Sequence, residues 1–145
     1  FMIAAVTSIA AANSDTWATE IGNNRVKGKT WLIDSHKPVQ PGTHGGISFY
    51  GTVAAFGGAL FISVLFWGFD PTHSFITLTV ISVSAFLGCL LDSYLGARFQ
   101  DKKFTFNGLS LLGVNQMMID NNTVNWISAG SASLISLILI LIIGV

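Results

Sequence analysis

Four stretches of this chain are long and apolar enough to cross a lipid bilayer, which fixes the class of fold before any motif is considered. A hydrocarbon core about 30 Å thick is spanned by about 20 helical residues. Inside it every backbone polar group must find its partner within the protein, so such stretches become helices. The stretches run over roughly 2–22, 46–69, 74–99 and 122–145, and long loops occupy 23–45 and 100–121. Of the 145 residues, 51% are hydrophobic and only 10% charged, and the mean hydropathy is +0.63. That composition excludes an ordinary soluble domain. The expectation is an all-α, polytopic helical membrane protein with four transmembrane helices in a single domain over 1–145.

The four stretches are not alike. The last ends in Leu-Ile-Leu-Ile-Leu-Ile-Ile and suits lipid, whereas the first is rich in Ala, Ser, Thr and Asn and needs protein neighbours for its polar side chains. Net charge is zero, so no basic surface is offered to nucleic acid. Yet all seven Lys and Arg residues fall in or beside the two long loops: Arg25, Lys27, Lys29 and Lys37 after the first stretch, Arg98, Lys102 and Lys103 at the end of the third. The positive-inside rule then puts both loops on the cytoplasmic side or its topological equivalent. The single cysteine, Cys89, lies within the third stretch and has no partner for an internal disulfide. No charged leader and cleavage site precede the first stretch, and Phe1 is not an initiator methionine, so processing or a longer parent protein is expected.

Two acids sit where a membrane tolerates them poorly: Asp15 in Asn-Ser-Asp-Thr-Trp and Asp92 in Leu-Leu-Asp-Ser-Tyr. At about 1.5 Å per residue both lie roughly 10 Å below the ends of their helices, at one depth beneath the basic loops. The acid, hydroxyl, aromatic order shared by the two sites hints at an internal duplication, on a short match. A carboxylate at such depth needs a cavity, a cation or a hydrogen-bonding partner. Two of them suit a hard divalent cation such as Mg²⁺ that also carries phosphate oxygens. The competing reading gives each acid only hydroxyl or amide partners in a packed bundle. Glu20, near the interface, extends the polar stripe or is simply solvated.

The loops supply groups for an anion. Pro41-Gly42-Thr43-His44-Gly45-Gly46 permits positive φ and close backbone approach, so that Gly42, Thr43, Gly45 and Gly46 offer a phosphate-binding turn. No Gly-Lys-Ser/Thr follows, and a plain helix start is the competing reading. His44 is a candidate for proton transfer. Arg25, Lys27 and Lys29 are candidates to clamp phosphates, or else serve topology and lipid headgroups. Asn121, Asn122 and Asn125 open the last stretch; one caps a helix, and three suit a base, ribose or phosphate.

Together, Ala-Asn-Ser-Asp-Thr-Trp-Ala-Thr-Glu-Ile-Gly, Val-Gln-Pro-Gly-Thr-His-Gly-Gly-Ile-Ser, Gly-Thr-Val-Ala-Ala, Leu-Asp-Ser-Tyr-Leu-Gly-Ala-Arg-Phe-Gln and Asn-Asn-Thr-Val-Asn resemble, in this order, the integral membrane family that contains transmembrane protein 19 and the plastid phytyl-phosphate kinase of vitamin E synthesis. A looser resemblance reaches the polyprenol kinases and CDP-diacylglycerol synthases. The closer resemblance implies a membrane kinase that converts an isoprenoid monophosphate, of the phytyl or geranylgeranyl type, to the diphosphate with a nucleoside triphosphate (CTP or ATP) and Mg²⁺. It also implies further N-terminal helices, so the chain is expected to be the C-terminal part of a larger bundle, completed by further helices or subunits. On that reading Asp15 and Asp92 hold metal, with Glu20 beside them. Arg25, Lys27 and Lys29 neutralise phosphates, the 42–46 turn donates amides, and the tail lies among membrane lipids. Two other classes compete: a non-catalytic subunit of a membrane complex, and a transporter of an anionic lipid or metabolite. The turn at 69–73, which carries no Lys or Arg, and the apolar depth of helices two and four speak against the transporter.

Overall fold

The computed structural model describes residues 1–23, 29–70, 72–100, 102–105 and 116–144. Four helices carry it: α1 (Met2–Asn23), α2 (Phe49–Phe69), α3 (Phe75–Phe99) and α4 (Asn121–Ile143), close to the stretches expected. Among the described residues, α2, α3 and α4 are long and apolar enough to cross a membrane. The first stretch was expected to meet that measure, and α1 does not, because Thr7, Ser8, Asn13, Ser14, Asp15, Thr16 and Thr19 dilute its apolar content. It packs against all three other helices; Asn13 and Ser14 bond across to α2, while Thr7, Ser8 and Thr16 bond back to carbonyls of α1 itself.

Small side chains let the helices approach closely, the usual way to hold a bundle that gains little from hydrophobic burial in lipid. Ala10, Ala11, Ala59, Ile81, Ala85 and Ala132 form the buried core, with Ile3, Val6, Ile62, Phe66 and Phe86 around it. Polar side chains of α1 lock the helix pairs: Ser14 Oγ donates to the Ala55 carbonyl at 2.7 Å and Asn13 Nδ2 to the Gly58 carbonyl at 2.9 Å, both on α2. Ser133 Oγ of α4 donates to the Ala4 carbonyl at 2.8 Å. Bonds of this kind contribute about 0.6 kcal/mol each in a membrane, and up to about 1.7.

The all-α bundle carries short strands in its two long loops. Strands β1 (Thr30–Leu32), β2 (Pro38–Val39) and β3 (Gly46–Ser48) form a small antiparallel sheet in the order β2-β1-β3, with Pro38 on an edge strand, where its missing N–H does no harm. Strands β4 (Lys103–Thr105) and β5 (Gln116–Met118) pair antiparallel ahead of α4. Helix α2 therefore starts at Phe49 rather than 46. Gly46–Ser48 is strand, and the Ser48 hydroxyl accepts the Gly51 N–H at 3.1 Å as the N-cap.

Candidate functional site

The ends of all four helices meet on the side of the two long loops. Gly22 near the end of α1, Ser48 and Gly51 at the start of α2, Gly96 and Gln100 at the end of α3, and Asn121 at the start of α4 line one cavity of about 250 Å³. The 42–46 turn forms its rim. Pro41 and Gly42 occupy the corner of a turn closed by the Thr43 N–H to the Gln40 carbonyl at 3.2 Å, with Gly42 at φ 88° as a type II turn requires. Gly45, at φ 73°, lies flat on α3: a Cβ there would stand 2.6 Å from both the Ala97 nitrogen and the Ser93 carbonyl oxygen. A contact between Arg98 Nε and Asp34 Oδ2 at 3.4 Å also ties this loop to α3.

Asp15 of α1 and Asp92 of α3 lie on the wall of this cavity, with Cys89. The same three residues line a second cavity, of about 130 Å³, with Ala11, Ala12 and Thr16 of α1, Gly88 of α3, and Asn125, Ser128 and Ala129 of α4. The two carboxylates are near enough for Asp92 to feel the charge of Asp15. With its amide turned to satisfy both neighbours, Asn125 Nδ2 donates to Asp92 Oδ2 at 2.9 Å and to the Asn121 carbonyl at 3.2 Å. The pair thus stands between an upper cavity ringed by loop backbone and helix starts and a lower one walled by small side chains.

Several lining residues escaped the sequence reading, Ser48, Ser93, Gln100 and Thr30 among them. Thr30 of β1 is 6% exposed, and its Oγ1 finds no hydrogen-bond partner among the described residues. A buried orphan hydroxyl costs free energy; Thr30 lines the cavity beside the glycine turn, with its Oγ1 screened from the cavity space. Only the pairing of β1 with β3 brings Thr30 opposite Ser48, so no linear motif could have marked it.

A profile of the family described as Integral membrane protein DUF92 matches residues 1–133. The chain belongs to that family. Similar proteins include the uncharacterized membrane protein sll0875 of Synechocystis, 37% identical over 97 residues, which covers 67% of this chain and 37% of the relative. Protein PGR of Arabidopsis thaliana is 28% identical over 138 residues, 82% of this chain and 48% of its own length. The uncharacterized membrane protein MJ0933 of Methanocaldococcus jannaschii is 34% identical over 103 residues, 70% of this chain and 41% of its own. The DUF92 chain thus spans less than half the length of these relatives. No solved structure matches it. The family is the one its motifs resemble, and it makes this an integral membrane protein.

In this DUF92 chain the structure gathers some of the expected residues and separates others. Asp15, Asp92, Gly42, Thr43, Gly45, Gly46 and Asn121 line the upper cavity, as does His44. Asn125 lines the lower one instead. Glu20, Lys29 and Asn122 are exposed and line neither: Glu20 lies five residues beyond Asp15, off its face of α1, and Asn122 turns away from Asn121 by one helical step. Arg25 and Lys27 lie outside the described residues. The duplication hint finds only the acids in matching places, since Trp17 stacks on Phe61 of α2 whereas Tyr94 lies beneath Arg98. Among the described residues no three His, Cys, Asp or Glu side chains gather as a metal site. Two carboxylates fit Mg²⁺ when phosphate oxygens complete its shell, the common way proteins hold that ion.

Proposed function

We propose that this protein is a membrane phosphotransferase that converts an isoprenoid monophosphate to the diphosphate at the face bearing the basic loops. The observation that carries the reading is the pairing of Asp15 and Asp92 on one cavity wall. The same cavity is lined by a glycine turn and the N-terminal end of α2, both suited to phosphate oxygens. The same positive end of a helix dipole is offered by α4 at Asn121. Mg²⁺, held by Asp15 and Asp92, would neutralise charge on the transferring phosphoryl group.

The chain's own part is positioning and charge stabilisation. An acceptor phosphate is already ionised near neutral pH, so no strong general base is needed. Its oxygen attacks the γ-phosphorus, the bond to the β,γ-bridging oxygen breaks, and the nucleoside diphosphate leaves with that electron pair. The basic loops then face the cytoplasm or stroma, where the nucleotide is.

A second reading, a non-catalytic membrane subunit, draws on the Asn125 bond to Asp92, which gives that acid a structural partner. Transfer of labelled γ-phosphate from CTP or ATP to phytyl or geranylgeranyl monophosphate, with Mg²⁺ or EDTA, separates the two. Mg²⁺-dependent diphosphate formation supports the kinase; a folded protein that binds no nucleotide and turns over nothing supports the subunit.

A further inference from the structure

The lower cavity is too small for a nucleoside and has a different character from the upper one. Its walls are Ala11, Ala12, Gly88 and Ala129, with polar groups gathered at Asp15, Asp92, Asn125 and Ser128. Gly88 marks how close the three helices come: a Cβ there would stand 2.7 Å from the Ala132 side chain of α4 and 3.4 Å from that of Ala11 of α1. On α1 the lining residues Ala12 and Thr16 are exposed. The cavity therefore opens sideways, along the seam of α1 and α4, at a depth inside the apolar part of the bundle. Further along the same face of α1, Ile9 is 58% exposed and apolar. Among the described residues no Lys, Arg or His lines the cavity, so an anionic head reaching Asp15 and Asp92 there needs a divalent cation between them.

We propose that this cavity is the acceptor's compartment: it takes the phosphate head of a single-chain lipid that enters through the seam between Ala12 and Thr16 of α1 and Asn125 and Ala129 of α4. The nucleotide phosphates occupy the upper cavity, and the two reactants meet at the Asp15 and Asp92 wall from opposite sides. The inference deepens the phosphotransferase reading and rests on it for the nature of the head. It explains why the wall is built of side chains common to both cavities, and why the seam carries Ala12 and Ala129 where larger residues would close it.

The test is photolabelling of the purified protein in detergent with a prenyl monophosphate that carries a diazirine on its first isoprene unit, with labelled peptides read by mass spectrometry. Mg²⁺-dependent labelling around 12–16 and 125–129 is expected, competed by unlabelled prenyl monophosphate and not by the prenol. Ala129→Trp should lower it at least tenfold and leave Mg²⁺-nucleotide binding within twofold; Ala12→Trp, at an exposed position, repeats the test should the first variant fold poorly. Labelling undiminished in a folded variant, or confined to other helix faces, overturns the compartment. Labelling that needs no Mg²⁺ and is competed equally by the prenol overturns the phosphate head. Competed labelling without phosphoryl transfer sinks the kinase reading and leaves the compartment standing; transfer without labelling in the seam does the reverse.

Discussion

Asp15 on α1 and Asp92 on α3, seventy-seven positions apart in sequence, stand on one wall that separates two cavities, with Cys89 beside them. Their convergence is set by packing: Ser14 anchors α1 to the Ala55 carbonyl of α2, and Gly88 lets α3 approach Ala11 of α1 and Ala132 of α4. If the pair holds the transferring phosphoryl group through Mg²⁺, Asp15→Asn and Asp92→Asn should each lower kcat/KM at least about 100-fold, equivalent to about 2.7 kcal/mol of transition-state stabilisation. Steady-state kinetics on folded variants checks this.

Thr30 offers a different test, because Thr→Val keeps the shape and removes only the hydroxyl. With Oγ1 buried and unpartnered, Thr30→Val should leave thermal stability unchanged or slightly raised. Because that oxygen is screened from the cavity that Thr30 lines, nucleotide binding should stay within about twofold. A folded variant that binds nucleotide about tenfold more weakly would show instead that the hydroxyl reaches the ligand.

Much of this was legible in the sequence. Hydropathy places α2, α3 and α4, the bounds of α1 can be read although it falls short of that apolar measure, and the Pro41-Gly42 pair announces its turn. Asp15 and Asp92 stand out because acids are costly at that depth. The partners of those acids were not legible. That Asn125 reaches Asp92 depends on the rotation of α4 against α3, which a run of asparagines does not encode. Glu20 looked like a third acid because it is near in sequence, yet five residues along a helix carry it off the shared face. Thr30 reached the site through strand pairing, a long-range relation invisible to local pattern.

Gly45 holds the loop against α3 in a conformation that a side chain resists. Gly45→Ala would add about 1–2 kcal/mol of left-handed backbone strain and drive a methyl into Ala97 and Ser93. A lower Tm in detergent and weaker nucleotide binding together are expected. Loss of neither would mean that the loop lifts away without consequence for the site.

Acid should act on the start of α4. The Asp120 carboxylate accepts from Thr123 Oγ1 at 2.7 Å and from the Thr123 N–H at 2.8 Å, bonds that hold its pKa below the usual carboxylate value of 3.8. A depressed folded pKa means that the stabilisation is present above the ordinary carboxylate pKa and lost as pH falls from there through the lowered folded value. Protection of the amides in the first turn of α4, relative to their intrinsic exchange rates, should therefore fall below about pH 4, and Asp120→Asn should remove that part of the pH dependence. An unchanged acid limb in the variant would assign the effect to another group.

The most direct measurement is calorimetric titration of CTP and ATP into the purified protein in detergent, with Mg²⁺ or with EDTA, on wild type, Asp15→Asn and Asp92→Asn. Binding that requires Mg²⁺ and weakens at least tenfold in both variants is the predicted result. Equal binding in EDTA, equal binding by the folded variants, or no nucleotide binding at all by folded wild type would contradict the assignment of the Asp15 and Asp92 wall to a metal-held phosphate.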